Sequence, residues 1–229
     1  MESAQPATPP RPYRDDEAPA LIAAIVPEPA VAVDTRRDLG EEPLPSEAER
    51  VERAVPSRRA EFATGRACAR RALARLDLPP QPIPAGPRGE PQWPAGIIGS
   101  ITHCAGYRGA VLARTGQIAT VGIDAEPNAA LPDGLLKLIS LPAERDRLAR
   151  LAEIEPSVHW DRLLFCAKEA VYKAWYPLAE RWLDFEEAEV TFEPEQERFT
   201  ARLAVAGPRF QGRELTGFTG RWQIGRAHV

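Results

Sequence analysis

Lysine is nearly missing from this sequence. Of 29 Lys and Arg residues in a chain of 229, only Lys137, Lys168 and Lys173 are lysine; arginine carries the rest of the positive charge. Cysteine is as sparse. Cys68, Cys104 and Cys166 are odd in number, far apart and without a CxxC, which argues against both a disulfide framework and a zinc site. No apolar run is long enough to cross a bilayer, and the N-terminal stretch lacks the apolar core of a signal peptide. A net charge of −4 excludes a protein that coats nucleic acid through general basicity. Neither a Walker A loop nor a GxGxxG opening a helix is present, which removes the nucleotide-binding folds built on those motifs. The expectation that remains is a cytoplasmic protein with no membrane or nucleic-acid partner.

What is present is enough for a packed core: 44% of residues are hydrophobic, while 24 prolines and 16 glycines announce many loops. Residues 1–19, MESAQPATPPRPYRDDEAP, show no apolar periodicity and read as a flexible lead-in. LIAAIV at 21–26 reads as a short buried strand ended by Pro27. Ser46 with Glu49 has capping-box spacing and predicts a helix through AERVERAV; Pro56 predicts the start of a second, SRRAEFATGRACARRALARL. The proline-rich run 79–96 cannot be a helix or central strand. IIGSITH, GAVLAR and ATVGIDAE then read as strands, with turns at Gly106 and at Thr115–Gly116. LPDGLLKLISLPAERDRLARL predicts two short helices and VHWDRLLFCAKEAVYKAW a long one, before the strands AEVTFE, RFTARLAV and TGFTGRWQIG. Helices followed by an antiparallel meander occur twice, which points to an α+β fold of two similar lobes.

The long helix holds two of the three lysines, in KEAVYK. Trp160, Leu163, Leu164, Ala167, Val171 and Ala174 form one apolar stripe at spacings of three and four. Glu169 projects roughly 180° from Trp160, and Lys173 lies one turn further along that same side. Taken alone, the pair fits an ordinary surface ion pair. However, Phe165, Tyr172 and Tyr176 share this back face, so the helix is expected to be covered on both sides. Charges in such a site need partners. A compact lysine, rather than the broad arginine fork, suits a site that holds a point charge against a phosphate or hands over a proton.

VGIDAEP at 121–127 is the second unusual stretch. On a strand, Asp124 and Glu126 share a face and repel unless a cation lies between them. The bland reading is a solvated strand end. The functional one is a Mg²⁺ site, since that ion takes one or two carboxylates and completes its shell with water and phosphate oxygens. Glu169 would add a third carboxylate, with Lys168 and Lys173 flanking the bound phosphates, as phosphoryl transfer requires. His103, in SITHCAGYRGA, is one of three histidines and has no partner at metal-ligand spacing. It is either a hydrogen-bonded structural residue or a phosphate-binding imidazole.

Together these residues resemble a known family. GID-x-E, here Gly122 to Glu126, followed some forty residues later by K-E-A-x-x-K, here Lys168 to Lys173, is similar to the signature pair of the 4′-phosphopantetheinyl transferase superfamily. THCAGYRGA and WPAGIIGS upstream resemble its Sfp-type, EntD-like branch. The resemblance covers roughly residues 45–225. It implies a monomer of two pseudo-symmetric lobes, over 20–122 and 123–229, with the active site between them. The implied reaction transfers 4′-phosphopantetheine from coenzyme A to a serine of an apo acyl or peptidyl carrier protein, leaving 3′,5′-ADP. By the same likeness, Asp124, Glu126 and Glu169 hold Mg²⁺, or Mn²⁺. Lys168 and Lys173 bind the pyrophosphate, Lys173 neutralises the departing phosphate, and Glu169 is the candidate base. His103 contacts a coenzyme A phosphate.

The Arg-rich helix gains a role from this likeness. Between Ser57 and Leu76 it carries six Arg against a single Glu, and Arg58 and Arg66 stand where the family holds the 3′-phosphate. Arg88 is a further candidate, because Gly89-Glu90-Pro91 stands where many relatives have GKP. Fatty-acid, polyketide and non-ribosomal peptide carriers all remain open. So do two other classes: a metal-dependent phosphohydrolase, for which the same carboxylates and lysines would serve, and a non-catalytic binder, against which the intact acids argue.

Overall fold

The computed structural model describes residues 21–210 and 212–225; the lead-in expected over 1–19 lies outside them. In chain order the elements are β1 (Val31–Thr35), α1 (Pro45–Ala48), α2 (Pro56–Arg75), β2 (Ile97–Cys104), β3 (Tyr107–Arg114), α3 (Leu135–Ile139), α4 (Pro142–Ile154) and α5 (Trp160–Ala179). There follow β4 (Ala188–Glu193), β5 (Arg198–Leu203), β6 (Arg209–Phe210), β7 (Arg213–Glu214) and β8 (Gly217–Arg221). One antiparallel sheet has the order β1-β3-β2 and a second the order β4-β5-β8, while β6 and β7 form a short hairpin. Each three-stranded sheet carries a twenty-residue helix, α2 on the first and α5 on the second. The fold is α+β.

Pro56 occupies the first turn of α2, where its missing N–H costs nothing and its φ is preset. From Phe62 to Ala69 every residue is buried, so this helix is covered all round instead of along a stripe. Small side chains allow it: a Cβ on Gly65 would stand 2.9 Å from Ile101 Cγ2 on β2. Gly106, at φ 73°, turns the chain between β2 and β3, as the sequence predicts. In the second half, α5 buries Trp160, Leu164, Val171 and Trp175 against Val190, Phe192, Phe199 and Ala201 of β4 and β5. Those strands alternate buried and outward residues with a period of two.

The strand expected at LIAAIV is instead a 3-10 turn over Leu21–Ala24. The Ile25 and Val26 N–H groups bond back to Ile22 O, and Asp34 Oδ2 takes the Leu21 N–H at 2.7 Å. The strand of this region is β1, ten residues on, where Val31 pairs with Leu112 and Val33 with Ala110. The helix expected from Ser46 begins at Pro45 and lasts one turn before a 3-10 continuation. Glu47, not Glu49, reaches back, accepting the Leu44 N–H at 2.9 Å.

Val121–Pro127 is no strand either. Ser100 Oγ accepts the Ile123 N–H at 3.1 Å, and Thr102 Oγ1 accepts the Ala125 N–H at 3.0 Å. The two-residue spacing on both sides keeps the segment in step with β2. The acceptors are side chains, so no backbone ladder forms. On its other side the segment meets α5, where Thr120 Oγ1 donates to Ala174 O at 2.7 Å. A Cβ on Gly122 would stand 2.0 Å from Ala170 O. Gly122→Ala must therefore push the segment off the helix, and its midpoint of thermal unfolding is expected to fall by about 5 °C. An unchanged melt would mean that the contact yields without cost.

Candidate active site

A cleft of about 1000 Å³ opens between α2, β2 and the 84–93 loop on one side and α5 on the other. Arg58, Glu61 and Arg66 reach it from α2, Arg88 from the loop and His103 from β2; Glu169, Tyr172, Lys173 and Tyr176 face them from α5. Six residues singled out in the sequence thus share one cavity: Arg58, Arg66, Arg88, His103, Glu169 and Lys173. Asp124 and Glu126 are not in its wall. Asp124 meets it through Lys173, whose Nζ donates to Asp124 Oδ1 at 2.7 Å and to Ile123 O at 3.1 Å.

The α2 side is a cationic wall. Arg58 donates to the His103 ring, and burial together with the Arg58 charge holds the His103 pKa below its usual value. A neutral imidazole is the form that can accept that bond. Glu61 sits among three basic groups, 3.5 Å from Arg58, 3.5 Å from His103 and 3.6 Å from Arg108. Deeper in, Arg66 donates from Nε to Ile83 O at 2.9 Å and lies over the Phe62 ring, 3.3 Å from its centroid. Burial lowers its pKa to about 10, so it stays charged at neutral pH. Arg88 spans the cleft toward α5, with its guanidinium 5.6 Å from the Tyr176 ring centroid, and Glu90 Oε2 caps its backbone N–H at 2.9 Å. Glu90 therefore serves its own loop.

The three acids are neighbours, but they are not gathered around one point. Among the described residues no three His, Cys, Asp or Glu side chains form a cluster that could hold a metal ion. The expected convergence is altered by competing cations. Arg162 draws Glu126 Oε2 to 3.1 Å while its other donors hold Ala129 O and Ala130 O. Asp124 Oδ1 is taken by Lys173 and by the Thr102 hydroxyl at 3.1 Å.

The donor set still fits a hard divalent cation. Asp124 Oδ2 is buried with no hydrogen-bond partner, and the Asp124 charge, after burial, pushes the Cys166 thiol far up in pKa. Burial and then the Asp124 charge raise the pKa of both Glu126 and Glu169. A cation among these oxygens would relieve the repulsion and satisfy the orphaned one.

Lys168, expected at the phosphates, lies apart from the other candidates. It does not reach the cleft. Its Nζ is buried, 2.8 Å from Glu144 Oε2 and 2.7 Å from Phe185 O. Adjacent residues on a helix point about 100° apart, so with Glu169 in the cleft wall Lys168 must turn toward α4. Glu144 completes this buried site by accepting the Leu141 and Val190 N–H groups, each at 2.7 Å.

Thr102, Ser100, Arg162, Glu61 and Glu144 escaped the sequence reading. The signal for the first two was legible, since GSITH puts two hydroxyls on one face of a strand. Arg162 gave none, because its partners lie tens of residues away, and Glu144 showed only its three-residue reach back to Leu141, not the distant Lys168 and Val190.

Two family descriptions match this chain: "4′-phosphopantetheinyl transferase N-terminal domain" over residues 46–113 and "4′-phosphopantetheinyl transferase superfamily" over residues 120–223. The 4′-phosphopantetheinyl transferase Svp of Streptomyces mobaraensis is 55% identical over 91% of this chain and 87% of its own length. The 4′-phosphopantetheinyl transferase PptT of Mycobacterium tuberculosis is 52% identical over 82% of this chain and 83% of its own. The 4′-phosphopantetheinyl transferase Npt of Nocardia iowensis is 48% identical over 79% and 83%.

Proposed function

The chain belongs to the 4′-phosphopantetheinyl transferase superfamily, and from that premise we propose how its cleft works. The enzyme transfers the 4′-phosphopantetheine group of coenzyme A to a serine hydroxyl of an apo carrier protein and releases 3′,5′-ADP. Serine Oγ forms a bond to the phosphorus next to pantetheine, and the bridging P–O bond breaks toward the adenosine side. The α2 wall takes the negative end of coenzyme A, with Arg58 and His103 at its phosphates and Arg66 and Arg88 as further cations. Asp124, Glu126 and Glu169 would hold Mg²⁺, or Mn²⁺, which when bound neutralises charge on the diphosphate.

Glu169 accepts the serine proton. Burial and the Asp124 charge raise its pKa while no cation lies among the acids, and its place in the cleft wall opposite Arg58 and His103 puts it where the serine would enter. Lys173, between Asp124 and the open cleft, offers its ammonium to the oxygen that leaves. The observation that carries this reading is the single cleft in which Glu169 and Lys173 face Arg58 and His103.

Among the described residues no helix is long and apolar enough to cross a membrane. A cytoplasmic monomer belongs to the proposal, as does a division at 122/123 into two pseudo-symmetric lobes, supported by the paired sheet-and-helix units. The test is a carrier-mass assay with coenzyme A, Mg²⁺ and apo acyl and peptidyl carriers. A mass gain equal to phosphopantetheine on at least one carrier is expected. Release of 3′,5′-ADP with no carrier gain would mark hydrolysis and sink transfer.

A further inference from the structure

Thr102 is 1% exposed, on the strand that also carries His103. A buried hydroxyl needs partners, and this one has two. It accepts the Ala125 N–H at 3.0 Å and lies 3.1 Å from Asp124 Oδ1. A carboxylate has no proton to give and the amide hydrogen already approaches the oxygen, so the hydroxyl proton must point to Asp124. Lys173 binds the same oxygen. Both protein donors thus converge on Oδ1 and fix the carboxylate plane. Oδ2 stays buried with no hydrogen-bond partner. Ser100, two residues back on the same face, holds the Ile123 N–H in the same manner, so the backbone on both sides of Asp124 is tied to β2.

We propose that Thr102 is a positioning residue for the divalent cation: its hydroxyl aims Asp124 so that Oδ2 is presented to the metal. This rests on the metal site proposed above. It adds that affinity for the ion is set partly from β2, in a different sheet-and-helix unit from Glu169. Lys173 alone could hold Oδ1 electrostatically, but a flexible ammonium does not fix a plane, whereas a hydroxyl locked by a backbone N–H does. Because Thr102 is neutral, removing its hydroxyl changes no charge at the site. The sign of the effect is therefore set by orientation.

The measurement is Mn²⁺ affinity, read from the free-ion electron paramagnetic resonance signal with and without coenzyme A, and with no carrier present. Thr102→Val, nearly isosteric, is expected to weaken Mn²⁺ binding by about tenfold, in the range usual for groups that orient metal ligands. Thr102→Ser keeps the hydroxyl and is expected to stay within about twofold of the parent. Thr102→Cys keeps the size with a weaker donor; it is expected to fall between the two, and it gives the reading should the valine variant not fold. A folded valine or cysteine variant with parental Mn²⁺ affinity overturns the inference, as does a serine variant as weak as the valine one. If the parent itself binds no Mn²⁺ in either condition, the metal site falls, and this inference with it.

Discussion

Glu169→Gln is expected to slow carrier modification by about 10²–10⁴-fold, the range for losing a general base, with coenzyme A affinity little changed. Glutamine fills the same space and keeps an oxygen in the cleft. It cannot take a proton, and it is a poorer ligand for a hard cation. Mass-resolved rates, titration calorimetry with coenzyme A and a melting curve separate these effects.

The melting curve has its own expected sign. Burial and the Asp124 charge raise the Glu169 pKa, so the stability contributed by this carboxyl is present below the ordinary carboxylate range. It is lost as pH rises through the raised value. At neutral pH the ionised side chain burdens the fold, so the Gln variant should melt no lower than the parent. That advantage should shrink as the solution is acidified. A Gln variant within tenfold of the parental rate would remove Glu169 from both its proposed roles.

Glu144→Ala is expected to cost about 3–5 kcal/mol of stability and to lower the melting midpoint on the order of 10 °C. The loss is large because three donors meet one buried carboxylate. Lys168 would stay buried as an unpaired charge, and the Leu141 and Val190 N–H groups would lose their acceptor. Lys168→Met leaves a milder fault, since two backbone N–H groups still solvate Glu144. Burial already pulls the Lys168 pKa down, so at high pH the pair should loosen before a surface lysine would titrate. The methionine variant also decides between two roles. A lower melting point with a near-parental KM for coenzyme A fits a lysine that joins α5 to α4 and β4. A parental melt with a strongly raised KM would return Lys168 to the phosphates, against the geometry.

The sequence was most readable where local chemistry decides structure. Pro56 announces α2, the apolar stripe from Trp160 to Ala174 announces α5, and alternation announces β4 and β5. It was least readable where a distant partner decides. The 21–26 run is apolar enough for a strand, but Asp34, thirteen residues on, captures its first N–H and β1 takes the place beside β3. VGIDAEP has a strand's residues, but its hydrogen bonds go to hydroxyls on β2, and no periodicity encodes that. At the site, type and spacing singled out the acids at 124, 126 and 169, whereas Arg58, Arg66 and Arg88 on the opposite wall were pointed to only by the likeness to the family. Type and spacing did not reveal that Arg162 and Thr102 would hold two of those acids, nor that the first lysine of KEAVYK would face away. Helical angle separates Lys168 from Glu169, but only the position of Glu144 says which of them meets the cleft.

The stretch after β3 joins the portion that carries Arg58, Arg66, Arg88 and His103 to the portion that carries Asp124, Glu126, Glu169 and Lys173. A backbone cut near residue 118 would leave the groups proposed to grasp phosphate on one fragment and those proposed to move the proton on the other. Neither piece could run the chemistry alone. Thr102 and Ser100 would be the hydroxyls through which the severed partners recognise each other again, so recovered turnover on mixing would report directly on how well that seam re-forms.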